Sequence, residues 1–503
     1  MSENHDLRAD REVKIAALRE QGIDPYPSTS DPTHAVSDVL TGFTLLHQSQ
    51  EKVTIAGRIM SMREHGAIAF LDIYDGTGKM QAFCQVDELG QESFDQLLSS
   101  MSTGDFIELA GYAYITKRET QALLVKQWRV LSKALNNIPT EHYGIQDEDE
   151  RYRKRYLDLM LDPELRALFI KKAQFWNVTR DFMRRHGFLE VETPTLEHTT
   201  GGAEARPFRT HHNDFDIDVY LRISVGELWQ KRLMAAGFQK TFEIGRAYRN
   251  EGTSPEHLQE FTNLEFYWAY ADYKDGMKLV RELYIEIAEK VFGTTAFEAR
   301  GHRFDLAEEW IEIDYVSEVE KQTGINVLTA SEEEMVNKLT ELGVQYEGEN
   351  RERLTDTLWK YCRKHIAGPA FLVNHPKLVA PLAKLREDGQ TVELFQPIIA
   401  GSEVGKGYSE LNDPIDQRKR FEEQQKLLEA GDEEAMMPDW EFVEMLEYGM
   451  PPTCGFGFGD RLFAFLAGKP LRETQLFPLM KPKPEKVERA DAHQDTTQHE
   501  GET

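Results

Sequence analysis

Between Phe242 and Tyr270 the chain reads FEIGRAYRNEGTSPEHLQEFTNLEFYWAY, which sets an arginine, several carboxylates and a histidine into a strand, loop, strand pattern. Side chains of a strand alternate between two faces, so Arg249, Glu251, His257, Phe261, Glu265 and Tyr267 are able to converge on one cavity while their neighbours fill a core. An arginine fork binds carboxylate or phosphate through paired hydrogen bonds and stays charged. With carboxylates beside it, the set points to a pocket for a phosphorylated ligand and a cation, which is chemistry and not packing.

Two later segments add residues of the same kind. GYSELND brings Tyr408 and Glu410, two apart like Glu265 and Tyr267, so all four are able to face one cavity. Read alone, Glu410 is equally a turn carboxylate capping the next helix. GFGFGDRLFAF, Gly455 to Phe465, holds Arg461, which in isolation reads as a helix-start arginine paired to Asp460. His211 and His212 are adjacent, and neighbouring strand residues face opposite ways, so a zinc site is not expected there.

The elements that must position these residues follow from the chain's patterning. Its 503 residues suggest about three domains, and the mixed composition is that of a globular protein with ample core. Residues 7 to 22 read as an exposed helix ended by Gly22, Pro25 and Pro27, within an N-terminal extension spanning 1–50. From Lys52 to Leu131 short alternating strands take over: VTIAGRIMSM, AIAFLDIYD, KMQAFCQV, DFIELAGYAYIT and ALLVKQWRVL. Five strands with a helical segment near 90–101 fit a β-barrel of the oligonucleotide-binding type over 51–135. Residues 136–154 read as a linker. Long helices at about 163–186 and 274–291 then alternate with strands, giving a large α+β domain over 155–485 with a charged helical insertion at about 302–365. The tail, 486–503, is polar and reads as disordered.

Composition excludes other classes. A net charge of −28 argues against nonspecific adhesion to nucleic acid, which is driven by basic surface, while leaving room for a local basic site. Arg151, Arg153, Lys154 and Arg155, interleaved with Tyr152 and Tyr156, form the densest basic run; pairing with Glu148 and Glu150 explains it equally well. Cys84, Cys362 and Cys454 lie too far apart for a zinc ribbon or a disulfide framework, so a reducing cytoplasm is the expected setting. The charged N-terminus is no signal peptide, and no long apolar run marks a membrane span.

Three motifs in order carry a resemblance. GFLEVETPTL, from Gly187 to Leu196, resembles the first motif of class II aminoacyl-tRNA synthetases; FEIGRAYRNEG through FTNLEFY resembles the second, and GFGFGDRLFAF the third. With a barrel upstream, the chain from about 50 to 485 resembles the lysyl-tRNA synthetase family. The resemblance implies a catalytic domain built on an antiparallel sheet flanked by helices, a homodimer with Pro194 at its interface, and lysine, ATP, magnesium and tRNA(Lys) as ligands. Activation joins an ionised carboxylate to the α-phosphate of ATP, so it needs no general base but needs positioning and charge neutralisation. By resemblance, Arg249 bridges the substrate carboxylate and the α-phosphate, Arg461 holds the far phosphate end, Glu251 and His257 contact ATP, and Phe261 stacks on adenine. A lysine cation on its aliphatic stem wants buried carboxylates and an aromatic wall. Glu410, Glu265 and Tyr267 are then expected to receive the ε-ammonium, Tyr408 to pack along the stem, and Glu227 with the Gly202 carbonyl to receive the α-ammonium. On the barrel, Phe70 is expected to stack on the central anticodon base, with Gln81 and Arg63 contacting bases or backbone; barrel core is the other reading of Phe70.

The chain departs from the family at three points. Magnesium is expected at Glu403, Gln396 and Glu410, but Gln396 stands where the family has a carboxylate, which implies weaker binding or a ligand from Glu393. Lys406 replaces a small amide and either pairs with the substrate carboxylate or turns away. The third motif is one residue short, so its glycines lose their usual register with Arg461 unless a bulge restores it. An aspartate or asparagine enzyme would want cations where these acids stand. A paralogue lysylating a non-tRNA acceptor is disfavoured by the barrel, and an inactive binding module by Arg249, Arg461 and Glu403.

Overall fold

The computed structural model describes the chain except residues 1, 140–143, 204, 253–256, 347, 349, 432–434 and 484–503, so the expected disordered tail lies outside the described residues. By packing the chain divides into two units, Met1–Pro163 and Glu164–Thr503.

The first unit is a closed barrel of five strands, β1 (Val53–His65), β2 (Ile68–Tyr74), β3 (Lys79–Gln85), β4 (Phe106–Ile115) and β5 (Gln121–Ser132), in the order β1-β2-β3-β5-β4. Strict alternation builds it: in β2, Ala69, Leu71 and Ile73 are fully buried while Ile68, Phe70, Asp72 and Tyr74 look outward. The N-terminal helix Ser2–Glu20 is not the exposed element its charge suggested. Ile15 and Leu18 are buried, and Arg11 donates to the carbonyls of Ala134 and Thr103 at 2.7 and 2.8 Å. Its low apolar content hid a narrow stripe. The basic run is likewise paired: Arg151 and Arg155 meet Asp158 at 3.0 and 2.9 Å, Lys154 meets Glu150 and Arg153 meets Asp149.

The second unit is built on a nine-stranded mixed sheet. Its strands are β6 (Leu189–Glu190), β10 (Lys240–Tyr248), β11 (Glu260–Ala269), β14 (Ile311–Asp314), β15 (Ala370–Pro376), β16 (Thr391–Ile399), β17 (Ser402–Glu403), β18 (Lys406–Ser409) and β19 (Thr453–Gly459). A separate three-stranded sheet holds β7 (Leu196–Glu197), β8 (Arg209–His212) and β9 (Ile217–Leu221), and β12 (Ala296–Ala299) pairs with β13 (His302–Asp305) as a hairpin. The order is β14-β15-β16-β18-β19-β11-β10-β6, with β17 on β16. Pairing is antiparallel except at the edges, where β14 joins β15 and β6 joins β10 in parallel. The class is therefore α+β. One face is covered by helices Pro163–Arg185 and Tyr273–Ile287 over a core that includes Phe175, Phe242, Phe266, Tyr284, Phe395, Phe456 and Phe458. Helices Tyr315–Thr323, Glu332–Glu341 and Arg351–Cys362 make the charged helical segment, whose first residues lie in β13 and β14.

The shortened third motif needs no bulge. β19 pairs without a register shift with both β11 and β18, and the helix Asp460–Leu466 starts directly after Gly459.

Candidate active site

The opposite face of the sheet gathers the expected residues in two rows. Glu265 of β11, Gly457 of β19 and Lys406 of β18 lie side by side, and so do Tyr267, Gly455 and Tyr408. Glycines are required in the middle strand because its neighbours lean over it. A Cβ on Gly455 would lie 2.1 Å from Glu410 Oε1 and 2.6 Å from the Tyr267 ring, and one on Gly457 would lie 2.9 Å from Glu265 Cγ.

Below this floor is an acid cluster with one resident cation. Glu227 opens helix Glu227–Ala235 and Lys231 follows one turn later, so the two share a face. The Lys231 ammonium lies 2.8 Å from Glu227 Oε1 and 2.5 Å from Glu410 Oε2, all three groups being buried. The rings of Tyr408, Phe442 and Tyr267 surround it with centroids 5.4, 5.7 and 6.0 Å away. Tyr408 donates its hydroxyl proton to Glu227. Glu265 is held separately: its Oε1 accepts from Val225 N–H at 2.6 Å and Asn263 Nδ2 at 3.1 Å, its Oε2 from Tyr267 at 3.2 Å. Burial, reinforced by Glu227, pushes the Glu265 carboxyl up to about 7. Burial also raises Glu410, against the pull of Lys231. Gly202, at φ +91°, presses its Cα against Glu227, where any Cβ would lie 2.7 Å from Oε2.

Arg249 begins the loop after β10. It is half-buried, donates from Nε to the Ile223 carbonyl at 3.3 Å, and sets its guanidinium carbon 5.3 Å from the Phe261 ring centre. Burial lowers its pKa, with Glu251 and Glu265 opposing and Arg461 adding. The exposed His257 is lowered by partial burial and then by Arg461. Asp460 does not pair with Arg461, as the plain reading of that segment had it. It is buried and takes Lys172 Nζ at 3.0 Å and Gln475 Nε2 at 3.1 Å, which leaves Arg461 in the field of Glu403.

Each of the expected magnesium ligands has a partner within the protein. Gln396 meets His375 Nε2 at 2.7 Å, Glu403 accepts from Trp359 Nε1 at 2.5 Å, and Glu410 is turned to Lys231. Glu393 stands on the opposite face of β16 from Gln396, three residues away on an alternating strand, and so offers no replacement. Among the described residues no group of three acids, histidines or cysteines gathers around a common point. Extending the β16 to β18 register sets the cation Lys406 across from Gln396. These residues do not fit a carboxylate-held magnesium. The tandem histidines hold no such cluster either; His211 lies 3.3 Å from Asp216 and Asp218.

On the barrel Phe70 looks outward, which removes the core reading. It stacks on Phe83 at 5.1 Å, and Phe83 on Tyr114 at 5.6 Å. Arg63 is the cross-strand partner of Phe70 and lies 3.6 Å from Asp72, itself opposite Gln81. This is a three-ring platform edged by polar groups, suited to stacking bases.

The sequence profile of class II tRNA synthetases (D, K and N) matches residues 147–481, two thirds of the chain and all of the active-site strands. The chain belongs to this family. Residues 53–131 match the OB-fold nucleic acid binding domain, which is the barrel. Curated relatives named lysine–tRNA ligase include that of Thermotoga maritima, 41% identical over 97% of this chain and 98% of its own. That of Roseiflexus sp. (strain RS-1) is 41% identical over 96% and 100%, and that of Thermosipho africanus 40% over 95% and 96%.

Within this synthetase, residue reasoning had missed Lys231, Asn263, Phe83 and Tyr114. Lys231 had a signal, four residues after Glu227 on a helix. Asn263 stands two before Glu265, and Phe83 and Tyr114 follow the outward alternation of their strands.

Proposed function

We propose that this chain is a lysine–tRNA ligase: it condenses L-lysine with ATP to lysyl-adenylate and transfers lysine to the 3′ end of tRNA(Lys). The observation that carries the choice of lysine is the charge of the buried cluster. Glu227 and Glu410 share a single resident cation, Lys231, and Glu265 lies beside Glu227 with only Arg249 pulling on it. Three acids thus meet one cation lodged among them, Arg249 being kept for the substrate carboxylate and the α-phosphate, and an amino acid bearing both an α-ammonium and a side-chain ammonium supplies the missing positive charge. Glu227 and the Gly202 carbonyl take the first; Glu265, Tyr267 and Glu410 take the second, with Tyr408 along the stem.

The lysine carboxylate is already ionised and attacks the α-phosphorus. A carboxylate oxygen to phosphorus bond forms, the bond from phosphorus to the bridging oxygen breaks, and pyrophosphate leaves with that electron pair. No proton moves. Arg249 holds carboxylate and α-phosphate together, Phe261 stacks on adenine, Glu251 and His257 position the nucleotide, and Arg461 binds beyond the α-phosphate. The tRNA hydroxyl then attacks the carbonyl carbon, the bond from that carbon to the phosphate oxygen breaks, and AMP leaves with the electron pair, its phosphate taking up the hydroxyl proton. Magnesium, the expected companion of ATP, is given no protein-held seat by Gln396, Glu403 and Glu410 in this reading.

The barrel, about 51–135, serves as the anticodon-binding domain through Phe70, Gln81 and Arg63, and 155–485 as the catalytic domain with its helical insertion. Leu189 and Leu196, each about half exposed in the first motif, support a homodimer through that segment. Three free, buried cysteines suit a cytoplasmic enzyme. No helix among the described residues is long and apolar enough to cross a membrane. ATP–pyrophosphate exchange across the twenty amino acids, followed by charging of purified tRNA, tests the proposal. Exchange with lysine alone and charging of tRNA(Lys) are expected; exchange driven by aspartate or asparagine would overturn it.

A further inference from the structure

Outside the three motifs, helix Arg351–Cys362 continues into a tight turn at Arg363–His365. Trp359 and Arg363 stand one turn apart and share a face. Trp359 Nε1 donates to Glu403, and the turn leading to Glu403 is fastened to the same segment: Ala400 N–H donates to the Ala367 carbonyl at 2.7 Å and Gly401 N–H to that of Ile366 at 2.8 Å. The approach is so close that a Cβ on Gly401 would lie 3.1 Å from Lys364 Cα and 3.2 Å from the Arg363 carbonyl oxygen. The backbone at Arg363 is thereby clamped against the turn that leads to Glu403. Its Nε is buried and has no hydrogen-bond partner among the described residues.

From the hairpin of β12 and β13, Arg300 reaches the same place. It donates to Ser402 Oγ at 2.9 Å and lies 4.7 Å over the ring of Phe465, one turn beyond Arg461. The three guanidiniums feel one another: burial lowers Arg461 with Arg363 adding, and burial lowers Arg300 with Arg363 and then Arg461 adding. Massing like charges in a partly dry site is costly unless an anion is to be bound there. Arg249 senses Glu265 and Arg461, and Arg461 senses Glu403 and Arg363, so Arg461 lies close enough to both of the other arginines to feel their charge.

We propose that Arg363, beside Arg461 and flanked by Arg300, binds the β- and γ-phosphates of ATP directly, supplying with guanidinium charge what a carboxylate-held metal would supply at Gln396 and Glu403. This rests on the nucleotide site proposed above. The planar fork suits phosphate oxygens and does not lose its charge on burial. The pyrophosphate that leaves is the same anion, so the same groups neutralise the charge that develops on it.

Binding of ATP and of AMP to the whole protein, measured calorimetrically in EDTA, tests this. Wild type is expected to bind metal-free ATP more tightly than AMP. Arg363→Met should weaken ATP about tenfold or more, the value of a charged hydrogen bond, while leaving AMP unchanged, and Arg363→Lys should fall between. Equal weakening of both nucleotides, or no weakening of either, would overturn the assignment, as would ATP binding no better than AMP in wild type. Binding of neither nucleotide to wild type would instead sink the nucleotide site itself. Should Arg363→Met not fold, wild type alone decides: metal-free pyrophosphate must compete with ATP and not with AMP, and failure to compete with ATP contradicts the proposal.

Discussion

Glu265 keeps its proton up to about pH 7, because it is buried beside Glu227 and its three hydrogen-bond donors only partly offset that cost. An arriving ammonium needs the carboxylate, so below that pH binding must first remove a proton. The kcat/KM for lysine is therefore expected to fall as the pH drops through 7, and Glu265→Gln should abolish this limb while lowering the plateau about tenfold to a hundredfold. Glu197 is also raised to about 7 by burial but bonds Trp229 Nε1, so Glu197→Gln serves as the control that keeps the limb. An unchanged limb in Glu265→Gln would contradict the assignment. Glu265 and Tyr267 were legible because strand alternation puts them on one face. Lys231 was not singled out, since a lysine amid helical residues reads as surface; only the fold buries it between two acids. Gln396 and Glu403 were legible as positions but not as partners, because His375 and Trp359 come from segments brought near only by tertiary packing.

The elements differ in how much of themselves they disclose. The barrel strands were readable almost to the residue because one face is fully buried and the period is two. The first helix was misjudged because packing of Ile15 and Leu18 outweighs its charged sequence. A bulge was one way to restore the register of β19, but the strand pairs without one and Gly455, Gly457 and Gly459 alternate onto the pocket face, with the next helix starting directly after Gly459. At this scale the barrel's outer rings make a separable prediction. Phe70→Ala or Phe83→Ala removes one ring of the stack and should raise the KM for tRNA by an amount corresponding to about 1–3 kcal/mol, leaving lysine-dependent exchange intact. Equal loss in both assays would show that the rings support the fold and not the tRNA.

For the whole molecule, composition and charge excluded classes without choosing one. A net charge of −28 says little about a chain proposed to bind a polyanion, since that role falls to one small outward face of the barrel that composition averages away. Three ordered motifs disclosed the family, whereas the proposed choice of lysine rests on a charge sum over Glu227, Lys231, Glu265 and Glu410, residues spread across nearly two hundred positions. That sum is the central claim, and competition in ATP–pyrophosphate exchange between lysine and norleucine, its uncharged near-isostere, tests it most directly. At pH 8 lysine is expected to outcompete norleucine by about a thousandfold or more, because norleucine leaves buried carboxylates unpaired. Norleucine within about tenfold of lysine would contradict the account.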